Sequence, residues 1–116
     1  MTAQNGAVSS QSSLDVIRLT GELDIGRRDE IKRALEPKRS TGPILVDLSE
    51  VTYADSTVIA GLVRLRNDAE EQGRRLALLI GDARLARLLQ YAGLAGAFAV
   101  YDDRATALTY LSGVSS

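Results

Sequence analysis

An α/β fold, a small sheet joined by helical crossovers, is what this chain of 116 residues predicts, on three observations. Two apolar runs rich in branched residues, at 44–48 and 76–80, have the nearly continuous character of strands covered on both faces. Each is followed by a stretch of Asp, Ser, Thr or Gly and then by apolar residues at helical spacing. Strand and helix patterns alternate along the chain, and parallel strands with crossover helices are the economical way to pack that order.

The elements follow in sequence. Residues 1–13, rich in Ser, Gln, Ala and Gly with Val8 their only β-branched apolar residue, read as a flexible tail or weak edge strand. Residues 14–116 form one domain, long enough to bury a core without staples. Leu14, Val16 or Ile17, and Leu19 give strand character before Gly21 breaks it. Asp24 is placed to cap a helix with apolar positions Ile25, Ile31, Ala34 and Leu35, ended by Pro37 and Gly42-Pro43. The central strand, Ile44 to Leu48, leads to Asp55-Ser56-Thr57, whose short side chains can accept hydrogen bonds from the unpaired N–H groups of a helix start. In the helix that follows, Val58, Leu62, Leu65 and Ala69 share one stripe, widened by Ile59 and Val63. Gly73 suits its end.

The run LALLI at 76–80 is a second buried strand, and Gly81-Asp82 opens a helix carrying Leu85, Leu88, Leu89 and Ala92. Gly93-Leu94 suits a left-handed C-terminal cap with its apolar contact. Residues 98–100 make a short last strand, and Asp102 or Asp103 caps a final helix bearing Ala107, Leu108 and Leu111.

Composition excludes much. The chain has no cysteine and no histidine, which removes disulfides, thiolate nucleophiles, Cys/His zinc sites and Ser-His triads. Neither a G-x-x-x-x-G-K-[ST] loop nor a strand-linked G-x-G-x-x-G occurs, so no nucleotide cofactor is expected. A phosphoacceptor receiver domain needs a lysine near its end, and Lys32 and Lys38 both lie in the first half. The net charge of −1 provides no field to recruit nucleic acid directly, and no apolar run approaches a membrane span, so a cytoplasmic protein without membrane contact is expected. Arg27, Arg28, Lys32, Arg33, Lys38 and Arg39, interrupted by Asp29, Glu30 and Glu36, read most simply as a solvated helix face, with a phosphate-binding patch as the alternative.

Ser56 carries what chemistry remains. Without a histidine base it makes a poor nucleophile, but a hydroxyl at a helix start is accessible to another enzyme. Phosphorylation there would add about −1.5 to −2 charge. The helix start favours an anion by about 0.3–1 kcal/mol, and adjacent Asp55 opposes it, so the modification should leave the fold intact and act on binding.

Taken together, Gly21-Glu22-Leu23-Asp24, Val46-Asp47-Leu48-Ser49 leading to Asp55-Ser56-Thr57, Gly73 with LALLI, and Leu88-Leu89 to Gly93-Leu94 resemble the STAS domains of bacterial anti-sigma-factor antagonists. The resemblance runs from about residue 14 to 111. It implies a small mixed sheet with helices packed mainly on one face, and a binding protein without catalysis or cofactor. It implies as partner an anti-sigma factor with GHKL-type serine kinase activity, which the antagonist binds to free the sigma factor, and admits a serine phosphatase as a second partner. Phosphorylation of the serine matching Ser56 ends binding. The resemblance carries the docking surface onto Asp24, Asp55, Thr57 and Ile59, with Val58 counted in the same surface. Val58 stands where the family usually has glycine and is expected to add bulk beside the acceptor. The alternative is a STAS scaffold subunit of a transporter or stressosome-like assembly, with Ser56 a structural N-cap only.

Overall fold

The computed structural model describes residues 14–36 and 41–113. The tail or edge strand expected at 1–13, and Pro37, Lys38 and Arg39, lie outside the described residues. Strands β1 (Asp15–Leu23), β2 (Ile44–Ala54), β3 (Leu76–Ile80) and β4 (Ala99–Tyr101) pair in the order 1-2-3-4, each neighbouring pair parallel. Helices α1 (Arg28–Ala34), α2 (Ser56–Glu71) and α3 (Ala83–Tyr91) connect them, and α4 (Arg104–Ser112) follows the last strand. Among the described residues the sheet holds no antiparallel pair.

The layering follows from handedness. Strand order advances in one direction, so right-handed crossovers deliver each connecting helix to the same side of the sheet. There Ile17, Ile44, Val46, Leu48, Leu76, Leu78 and Ile80 meet Ile31 and Leu35 with its neighbouring α1, Val58, Leu62 and Leu65 of α2, and Leu85 and Leu89 of α3. Burying a side chain of this kind contributes about 1.5–3 kcal/mol each. The intervening residues face the other way, as a strand's period of two requires. On that face Leu45, Ala77 and Leu79 are covered by Ala107 and Leu111 of α4. The helices are therefore packed mainly on one face, as expected.

Asp47 also points to the α4 side and is 2% exposed. It accepts hydrogen bonds from the Ser49 hydroxyl (2.6 Å) and Ser49 N–H (3.0 Å), and pairs with Arg104 (3.3 Å) and Arg18 (3.7 Å). Burial is the largest single influence and pushes its carboxyl up, but the Ser49 hydrogen bonds and the two guanidinium groups together hold it below the ordinary value. One buried aspartate thus ties β1, β2 and α4 together.

Local departures from the sequence expectations have local reasons. β1 does not stop at Gly21: with φ at 80°, Gly21 takes a left-handed conformation inside an irregular stretch, and pairing resumes to Leu23. β2 continues past Leu48 to Ala54, and the last strand is Ala99–Tyr101. Asp24 caps a 3-10 turn, Ile25–Arg27, before α1 begins, so Ile25 leaves the core face and is 71% exposed. Ala92 lies beyond the end of α3 and is exposed. Asp103, and not Asp102, caps α4.

Candidate functional site

The longest strands of the sheet set the position of the site. Leu23 at the end of β1 pairs with Ala54 at the end of β2, so Asp24 and Asp55 leave the same edge of the sheet side by side. Each caps the turn that follows: Asp24 Oδ1 accepts from Gly26 N–H at 3.0 Å, and Asp55 Oδ1 from Thr57 N–H at 2.9 Å. The backbone of Asp55 is extended, and its carbonyl accepts from Val58 N–H at 3.1 Å. Ser56 is the first residue of α2 and is exposed.

The first turn of α2 divides its side chains sharply. Val58 is fully buried in the main core, while Ile59 is half-buried against its rim and Thr57 half-buried. The expectation that Val58 belongs to a docking surface is therefore not met, because its side chain presents no surface. The same orientation answers the expectation of bulk beside the acceptor. The β-branched carbons point into the core, away from exposed Ser56.

Ser56 and Thr57 open onto a groove between α1 and α2 of about 310 Å³, lined also by Arg28, Ile31, Lys32, Ala60, Gly61 and Arg64. Asp24, Asp55 and Ile59 do not line it. The groove depends on close packing of its two walls. A Cβ added at Gly61 would stand 2.8 Å from Leu35 Cδ1, so a larger residue there would push against the chain just after α1. Arg27 holds α1 to the sheet: its guanidinium donates to the Thr20 carbonyl (2.6 Å) and Glu22 carbonyl (3.1 Å) and pairs with Glu30 (2.8 Å). That pairing, chiefly its hydrogen bond, holds the Glu30 carboxyl below its ordinary value.

The sequence favoured a solvated face over a phosphate-binding patch for Arg28 and Lys32, and gave no site role to Arg64 or Gly61. Half of the signal was present: Ser56, Ala60 and Arg64 recur every four residues on one helix face, as do Arg28 and Lys32 on another. That the two faces meet is a tertiary fact. Exposed Ile25 and Tyr53, 71% and 52%, flank Asp24 and Asp55 along the chain and were missed too. Among the described residues no group of three or more carboxylates is placed to hold a metal ion.

Comparison with known proteins covers nearly all of this architecture. A family model described as "Mlab, STAS domain" matches residues 7–102. The chain is 30% identical over 106 residues to an anti-sigma F factor antagonist of Paenibacillus polymyxa, covering 86% of this chain and 88% of that one. It is 29% identical over 92 residues to an anti-sigma-B factor antagonist of Staphylococcus aureus (strain NCTC 8325 / PS 47), covering 78% and 85%. Among solved structures, the anti-sigma factor antagonist SpoIIAA in its unphosphorylated form superposes with a TM-score of 0.66 at 23% identity, over 87% of this chain and 90% of that one. A sulfate transporter family protein from Wolinella succinogenes gives 0.67 at 22% identity, over 84% of each. At those identities the structural likeness concerns the fold alone.

Proposed function

The chain is a member of the STAS-domain family, and on that premise we propose that it is an anti-sigma-factor antagonist switched off by phosphorylation of Ser56. Its partner is an anti-sigma factor that is also a GHKL-type serine kinase, and a serine phosphatase resets the switch. The domain is a binding module with no catalysis of its own. Its docking surface is the start of α2 with the neighbouring turn, namely Asp24, Asp55, Thr57 and Ile59, extended by exposed Ile25 and Tyr53.

The observation that carries the reading is the division of the first turn of α2. Ser56 is exposed, while Val58 and the residues behind it anchor the turn in the core. A kinase can reach the hydroxyl without unfolding anything. In the transfer, the Ser56 Oγ–P bond forms as the bond between the γ-phosphorus and the departing ADP breaks, and the hydroxyl proton passes to a base of the kinase. The product carries about −1.5 to −2 added charge on the docking surface. A like-charge or unpaired contact across an interface costs several kcal/mol, enough to end binding.

Affinity capture with wild type and Ser56→Glu as paired baits, read by mass spectrometry, tests this. Recovery of a GHKL-type kinase by wild type alone is the expected result. Equal recovery of a transporter ATPase or scaffold by both baits would leave Ser56 an unmodified first residue of α2, behind its cap Asp55, and the domain a constitutive assembly part.

A further inference from the structure

The groove between α1 and α2 is lined by three cations and by the hydroxyl proposed as phosphoacceptor, and no carboxylate lines it. Arg28, Lys32 and Arg64 have no ion pair or side-chain hydrogen bond among the described residues. Arg18, Arg27, Arg66, Arg74, Arg84 and Arg104 each hold a carboxylate, and among the described residues Arg33, Arg75 and Arg87 also lack one; what sets Arg28, Lys32 and Arg64 apart is that they line one groove with Ser56. The acids beside Ser56 and Arg28 in the chain are otherwise engaged or line another surface. Asp55 accepts from Thr57 N–H, Glu30 is held by Arg27, and Asp29 lies with Glu30 on the other flank of α1.

Resting on the reading of Ser56 as the modified residue, we propose that the phosphoryl group of phospho-Ser56 is held within the chain itself, by Arg28, Lys32 and Arg64 in this groove. A phosphoryl group offers three strong acceptor oxygens, and a guanidinium donates to two of them at once. Space is not limiting: one water occupies about 30 Å³ of liquid, so a groove of about 310 Å³ takes a phosphoryl group with room for waters. Before modification the groove is an open basic cleft beside the docking surface. Afterwards it is filled and neutralised from within, and α1 is pinned to the start of α2. The modification then does two things at once: it adds charge at the helix start and withdraws a basic groove from any acidic segment of a partner.

The test installs phosphoserine at position 56 during synthesis, so no kinase is needed, and follows the phosphorus NMR shift of the full chain against pH. Capture predicts a second phosphate pKa at least about 1 unit below the ordinary value of about 6. It also predicts return toward that value in Arg64→Gln and in Arg28→Gln with Lys32→Gln, and a phosphorylated chain that melts higher than the unmodified one only while those cations are present. An ordinary pKa in the wild-type sequence would overturn the proposal. So would a lowered pKa unchanged by either variant, which would assign the shift to backbone N–H groups. Since the phosphate is supplied chemically, these outcomes are separate from whether a kinase is captured by the unmodified chain.

Discussion

The starts of α2 and α3 obey the same local rule and differ in what their charges face. At both, an aspartate in extended conformation accepts from the N–H two residues on: Asp55 from Thr57 at 2.9 Å, Asp82 from Arg84 at 2.8 Å. At α3 the cap also consumes the nearest cation, because the Arg84 guanidinium folds back onto Asp82 at 2.8 and 3.2 Å. At α2 no cation of its own first turn reaches the cap. Residue 56 is instead a hydroxyl, and the cations Arg28 and Lys32 come from another helix, Arg64 from farther along the same one. The lesson is that a self-neutralised helix start is a structural device, while one with its cations held back across a groove is left able to respond to an added charge.

The strongest way to break the comparison is to remove the floor beneath one of the two starts. Leu62 is 1% exposed in the main core, and Leu62→Ala should destabilise the domain by about 2–5 kcal/mol. Urea unfolding would measure it, and a loss well under that range would mean α2 is not docked as described. Next is the approach to α3. A Cβ at Gly81 would stand 2.6 Å from the Ser49 carbonyl oxygen, a backbone atom with little freedom to yield. Gly81→Ala is expected to cost about 1–3 kcal/mol by the same assay.

The caps themselves give smaller effects. Asp55→Ala should cost about 0.5–2 kcal/mol, and Asp55→Asn, which keeps an acceptor oxygen, should recover most of it. Recovery by neither Asn nor Ser would show that Asp55 acts by charge and not by capping. The smallest effect sharpens the contrast at α3. The Arg84 side chain first, then its backbone N–H, holds the Asp82 carboxyl at about 2. A folded pKa below the unfolded one gives stability that is complete above the ordinary carboxylate range, near 4, and lost as pH falls through about 2. Wild type should therefore lose stability between about pH 4 and 2, and Asp82→Asn should flatten that slope slightly. Thermal melts across the acid range would show it, and an unaltered slope would mean the pair is not formed in solution.

Much of the fold was legible in the sequence because it is local. The alternation of strand and helix, the buried stripe Val58, Leu62, Leu65 and Ala69, and Gly93 ending α3 with Leu94 N–H bonded to the Leu89 carbonyl at 2.9 Å all follow from periodicity and end chemistry. Ile25 was misplaced because an apolar residue after a capping aspartate fits an α-helix as well as a 3-10 turn. Asp47 was quoted for its place in a motif, without its burial, since its partners Arg18 and Arg104 come from β1 and α4.

Residue types and spacing alone determined that this is an α/β chain lacking histidine and cysteine, with Asp55-Ser56-Thr57 at the start of its central helix; which of the three is the cap, Asp55, was decided by the fold. Side-chain direction within that turn was decided by packing, which sends Val58 inward and leaves Ser56 outside. Only tertiary structure could set Arg28 and Lys32 of α1 opposite Ser56 and Arg64 of α2. Periodicity says which residues share a helix face, but which faces meet depends on the handed path of the chain across the sheet and on Gly61 and Leu35 letting the two walls close.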